Sequence, residues 1–127
     1  PLLDPPIVFS ARTVHGSGRG RGLKVPTINM DLTDVPEGFT HGVYVCRVSI
    51  GGKQYDGALH FGPRPVFKDS ESLEVHILDA VLSDVPERIE VHVLARIRDV
   101  KDFPGKDALL DAIADDIRIT RGILKSC

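Results

Sequence analysis

The stretch GVYVCRVSIGGKQYDGALHF, residues 42–61, decides the fold. Residues 42–50 are rich in β-branched and aromatic side chains, and Gly51-Gly52 separates them from KQYDGALHF, residues 53–61. Two strand-like runs joined by two glycines predict an antiparallel hairpin. Downstream, LEVHILD at residues 73–79 places Leu73, Val75 and Ile77 on one face of a strand and Glu74 and His76 on the other. RIEVHVLARIR at residues 88–98 alternates again, with Ile89, Val91, Val93, Ala95 and Ile97 inward and Glu90, His92, Arg96 and Arg98 outward.

After Phe103-Pro104-Gly105 the period changes. Leu109, Leu110, Ile113, Ile117 and Leu124 recur at helical spacing and predict an amphipathic helix over 106–124. Short strands, Gly/Pro-rich connections and a single late helix predict a mainly β fold. The expected form is a closed or nearly closed antiparallel barrel with the helix packed outside.

A chain of 127 residues fits one domain, 1–127, with one active site. Hydrophobic residues at 42% and charged residues at 27% are globular values and argue against disorder, collagen or a coiled coil. A formal net charge of -2 gives no overall attraction to nucleic acid or to an anionic membrane, so basic residues have to be judged by position. No run approaches the roughly 18 apolar residues of a spanning helix, and a soluble, cytoplasmic monomer is expected. Cys46 and Cys127 form neither a disulfide framework nor a spaced metal site, and read as a core thiol and a tail thiol.

The segment VHGSGRGRGLKVPTIN, residues 14–29, carries the most unusual chemistry. Gly16, Gly18, Gly20 and Gly22 alternate with Ser17, Arg19 and Arg21, and Lys24 follows. Glycines let backbone N–H groups approach an anion, and Arg and Lys add charge-assisted bonds to phosphate. The segment is neither a Walker loop nor a dinucleotide fingerprint, because it lacks Gly-Lys-Ser/Thr at the right spacing and Pro26 stops an immediate helix. Taken alone it reads equally as a phosphate cradle or a plain surface loop, and less well as a patch for RNA backbone.

Thr27 and Asn29, after Pro26, offer a hydroxyl and an amide oxygen on one side of an extended segment. Hard oxygens beside phosphate suit Mg²⁺, whereas the plainer reading is a turn in which both bond local backbone. Glu74, a carboxylate inside an apolar strand, is a candidate general base for a hydroxyl attacking a phosphoryl group, or else a solvated residue on an edge strand. His76 reads as a packing or hydrogen-bonding histidine.

Together, VHGSGRGRGLKVPTIN, GVYV, YDGALHFGPRPVF, LEVHILD and IRDVKDF resemble, in order and spacing, the riboflavin kinase family, over residues 8–124. That family also forms the C-terminal domain of bifunctional FAD synthetases. The resemblance implies a six-stranded antiparallel Greek-key barrel with a C-terminal α-helix, moving the γ-phosphate of ATP to the ribityl 5′-hydroxyl of riboflavin to give FMN. It also implies that Gly16 to Lys24, with Pro26, cover the ATP phosphates. Thr27 and Asn29 would hold Mg²⁺ and phosphate, Glu74 would be the base, and Arg98, Asp102 and Phe103 would belong to the flavin-side loop.

Departures from the family pattern fall at Lys24, often Gly, and at Val66, often Thr. Leu82-Ser83-Asp84 replaces a Leu-Tyr-Gly element, and Val100 replaces a Glu. They bear on flavin contacts more than on the phosphate site. No H-x-G-H signature of FAD-forming nucleotidyltransferases occurs, so no FAD synthesis is expected of these residues. The competing readings are a noncatalytic flavin or nucleotide binder and a barrel for single-stranded nucleic acid. The second is disfavoured by 6% aromatic residues and no Trp, because stacking platforms need exposed rings.

Overall fold

The computed structural model describes residues 2–14, 27–63, 71–78, 80, 85–100 and 106–125. Its elements are β1 (Leu2–Val14), β2 (Thr27–Met30), β3 (Gly42–Ile50), β4 (Lys53–Pro63), β5 (Glu71–Ile77), β6 (Arg88–Arg98) and α1 (Lys106–Lys125). The strands form a closed antiparallel barrel in the order β1-β2-β5-β4-β3-β6. Strands β3, β4 and β5 run as consecutive neighbours and β6 returns beside β3, which is a Greek key.

The predicted hairpin holds. Ile50 pairs with Lys53 across Gly51 and Gly52, whose φ values of 58° and 85° suit the two-residue turn that matches strand twist. Of the six strands, β1 and β2 carry no strand periodicity in the sequence, although residues 27–29 read as extended. Leu2–Val14 carries Pro5 and Pro6, which break the strand pattern, and the β1–β6 register shifts between Leu2 and Ile7 to accommodate them. Strand β2 has four residues, too few for a periodic signal.

The barrel interior is apolar, with Leu59, Val75, Val91 and Val93 fully buried. Strands β2 and β3 are not neighbours, so residues 31–41 cross one end of the barrel. There Phe39 stacks on Tyr44 and Phe61, with ring centroids at 4.7 and 5.7 Å, and closes that end.

One facing differs from expectation. Ala95 does not join Ile89, Val91 and Val93 inside; it packs with Val45 and Leu124, and Ile97 packs against the same cluster. The cause is an irregular register: Cys46 pairs with Val93 but Val45 with Ala95, and Tyr44 pairs with Arg96 but Val43 with Arg98. Each shift inserts one residue and reverses the phase of the strand. The helix α1 lies over this outer surface against β3, β4 and β6. Burying Leu124 there contributes about 2 kcal/mol.

Candidate active site

Two transverse rows on the outer barrel face build the site. In one, the registers Arg98↔Val43, Val43↔His60, His60↔Glu74, Glu74↔Asn29 and Asn29↔Val14 run through all six strands. In the other, Ala95, Val45, Ala58, His76 and Thr27 follow the same path. Paired residues place their side chains on the same face of a sheet. Alternation then fixes which side: Ile28 and Met30 on β2, and Leu73, Val75 and Ile77 on β5, fill the interior. Thr27, Asn29, Glu74 and His76 therefore stand outside, each half-buried.

The sequence placed Thr27, Asn29 and Glu74 in one site, and the fold brings them together. Asn29 faces Glu74 across the β2–β5 pair, and the Thr27 hydroxyl lies 3.0 Å from His76 Nδ1. Burial pushes the His76 imidazole below its ordinary value, against the opposing pull of Glu74 and Asp116. Neutral His76 can accept the Thr27 proton, which leaves the hydroxyl oxygen as an acceptor. A cleft of about 650 Å³ opens beside these residues, lined by Arg12, Thr13, Val14, Thr27, Ile28, Asn29, Val85 and Glu87.

Arg98 stands at the other end of the first row, three strands from Glu74, about 14 Å along the curved barrel surface at ordinary strand spacing. Its guanidinium grips Asp116 of α1, which is buried, and also donates to the Asp99 carbonyl. Gly16, Ser17, Gly18, Arg19, Gly20, Arg21, Gly22, Lys24 and Pro26 lie outside the described residues, as do Asp102, Phe103, Val66 and residues 82–84. The described chain leaves the cleft at Val14 and re-enters it at Thr27, the two ends of that glycine-rich segment.

Three contributors escaped the sequence reading. Ser72 precedes Glu74 by two residues on the same face, and its hydroxyl lies 3.5 Å from Glu74 Oε1 and 3.2 Å from His60 Nδ1. His60 is buried on the adjacent strand. Burial, with the charges of His76 and Arg98, holds its imidazole down at about 4, while the backbone carbonyls of Pro63 and of His60 itself pull upward. Asp116 falls on the apolar stripe between Ile113 and Thr120, a place where a carboxylate signals a buried partner. Ser72 was legible as the first of three alternating polar positions. His60 required knowing that β4 pairs with β5.

Among the described residues no group of three His, Cys, Asp or Glu side chains is placed to hold a metal ion. The Thr27 hydroxyl and the Asn29 amide oxygen are nonetheless donors suited to Mg²⁺, which keeps several waters and shares itself with substrate phosphates.

Comparison with known proteins places the chain in a family and supports the fold. The family model described as riboflavin kinase matches residues 3–124. The chain is 34% identical over 125 residues to the bifunctional riboflavin kinase/FMN adenylyltransferase of Buchnera aphidicola subsp. Schizaphis graminum, covering 94% of this chain and 39% of that protein. It thus spans about two fifths of the length of the curated relatives it matches. A solved structure described as a macrolide-efflux protein from Streptococcus pneumoniae superposes with a TM-score of 0.77 at 33% identity, over 91% of this chain and 38% of that one. Riboflavin kinase from Trypanosoma brucei shares the fold, with a TM-score of 0.60 at 22% identity over 94% of this chain and 80% of that one.

Proposed function

The chain belongs to the riboflavin kinase family, and from that premise we propose that residues 1–127 transfer the γ-phosphate of ATP to the ribityl 5′-hydroxyl of riboflavin, giving FMN and ADP. The observation that carries the reading is the convergence of Thr27, Asn29 and Glu74 on one outer patch beside the 650 Å³ cleft. Phosphoryl transfer asks little covalent chemistry of a protein; it asks for positioning, charge neutralisation and an acceptor for one proton.

Glu74 accepts the proton of the attacking hydroxyl. Half-buried on β5, which is hydrogen-bonded to β2 on one side and β4 on the other, it is held in place while it does so. Thr27 and Asn29 would hold Mg²⁺, which supplies neutralisation of phosphate charge when bound. In this reading the glycines and basic residues of 16–24 bind the phosphates, and Arg98, Asp102 and Phe103 bind the flavin. The substrates are small molecules, and the mechanism requires neither a second chain nor nucleic acid, so a monomer suffices. No described helix is long and apolar enough to cross a membrane, and the proposed setting is the cytoplasm, where ATP is supplied. The adenylyl transfer named for the bifunctional relatives is not proposed for these residues.

The test is incubation of the purified chain with riboflavin, ATP and Mg²⁺, followed by chromatography with fluorescence detection. FMN and ADP forming in step support the proposal. Riboflavin binding without FMN would leave a noncatalytic flavin binder.

A further inference from the structure

We propose that His60 is a positioning residue for Glu74, acting through Ser72 in a directed chain of hydrogen bonds from His60 Nδ1–H to Ser72 Oγ and from Ser72 Oγ–H to Glu74 Oε1. The kinetic arm of this inference rests on the kinase reading; the structural arm does not.

The direction follows from counting protons. A carboxylate waiting to accept a proton only accepts hydrogen bonds, and a serine hydroxyl has one proton to give. With Ser72 Oγ 3.5 Å from Glu74 Oε1, that proton belongs to the carboxylate, and the contact is long enough to tighten as substrate enters. Ser72 Oγ must then accept at its other contact, 3.2 Å from His60 Nδ1, so the ring proton sits on Nδ1. Neutral His60 leaves Nε2 bare, and Nε2 is the ring atom that is buried with no hydrogen-bond partner among the described residues. A bare acceptor in the interior is better tolerated than a stranded N–H.

No proton travels along the chain. Burial opposes an imidazolium at His60, and among the described residues Nε2 has no partner to which a proton could pass. The chain acts by orientation: it holds Oε1 and leaves Oε2 for the substrate hydroxyl. His60 and Ser72, at 8% and 6% exposure, are fixed by packing and can transmit that constraint.

Two experiments test it. In ¹⁵N-histidine-labelled wild-type protein near pH 7, the His60 ring, identified by its loss in His60→Asn, is expected as the Nδ1–H tautomer. The Nε2–H tautomer would overturn the proposal, and this readout needs neither activity nor a second variant. In turnover, Ser72→Ala is expected to lower kcat by roughly 10- to 100-fold, with KM for ATP within about twofold. Ser72→Thr, which keeps the hydroxyl, should recover most of the rate. Ser72→Ala/Glu74→Gln should be no slower than Glu74→Gln alone, because a residue acting through Glu74 has nothing to lose once the base is gone. Fully multiplicative losses would overturn the proposal. A wild type that makes no FMN would remove the kinase reading and leave the tautomer to decide this one.

Discussion

Arg98 closes on Asp116 through two parallel hydrogen bonds, Nε to Oδ1 at 2.8 Å and Nη2 to Oδ2 at 2.7 Å. The pair joins the last strand to the helix packed outside the barrel. Its side chains are only 20% and 9% exposed, so neither charge can fall back on water if the other is removed. Asp116→Asn is therefore expected to lower the unfolding free energy by about 3 kcal/mol, read from urea denaturation. Arg98→Met/Asp116→Leu should lose less than Asp116→Asn, because it removes both charges together.

Glu74→Gln keeps the shape of the side chain and removes its capacity to accept a proton. FMN formation should fall by on the order of 10²- to 10⁴-fold, with a circular dichroism spectrum like that of the wild type. A rate within a factor of about two of wild type would take Glu74 out of the role of base. Asn29→Ala, on the facing strand, should instead raise the Mg²⁺ concentration needed for half-maximal rate, roughly tenfold.

Gly62 ends the row of outer residues on β4 at φ +145°, a conformation side chains rarely adopt. An added Cβ would lie 2.9 Å from Val100 Cγ2 and 3.3 Å from His41 Cγ. His41 is itself fixed, since its Nε2 lies 2.5 Å from Glu71 and its carbonyl accepts from Arg96 at 3.0 Å. Gly62→Ala should cost about 1–3 kcal/mol and shift Val100, which follows the end of β6 by two residues. A melting temperature equal to wild type would contradict this.

Acid stability should report His60. Its folded value of about 4 lies below the ordinary 6.5, so the unfolded chain binds a proton that the folded chain refuses. The stability this represents is present in full above 6.5 and is lost as pH falls from there toward 4. His76, also lowered by burial, adds to the loss in the same direction. Carboxylates titrate nearby, so the difference between wild type and His60→Gln isolates the histidine. The wild type should lose on the order of 3 kcal/mol more over that window, measured as denaturation midpoints at successive pH values.

Much of this was legible in the sequence. The Gly51-Gly52 hairpin, the alternation of Leu73 to Ile77 and the helix over 106–124 are local patterns, and local patterns survive folding. Glu74, Thr27 and Asn29 could be read as one site only through the resemblance of the combined segments to the riboflavin kinase family, since each alone read more plainly as a turn or surface residue. What escaped depended on pairing between distant segments. The reversal that sends Ala95 under the helix follows from the register of β6 against β3, which no periodicity within 88–98 encodes. His60 gains its meaning from facing Glu74 across β4 and β5, and Asp116 from meeting Arg98. Strand β1 was hidden by Pro5 and Pro6, and β2 by its four residues.

Closure of the barrel has a kinetic consequence. Strand β1 pairs with β6, so residues as distant in sequence as Ile7 and Val93 must meet before the ring is complete. Such distant pairing is slow, in the millisecond-to-second range typical of β barrels. During synthesis, β2 and β5 can pair while β1 still waits for its second neighbour, and the row from Val14 to Arg98 stays open until β6 leaves the ribosome. First turnover on a nascent chain would therefore time the docking of the last strand.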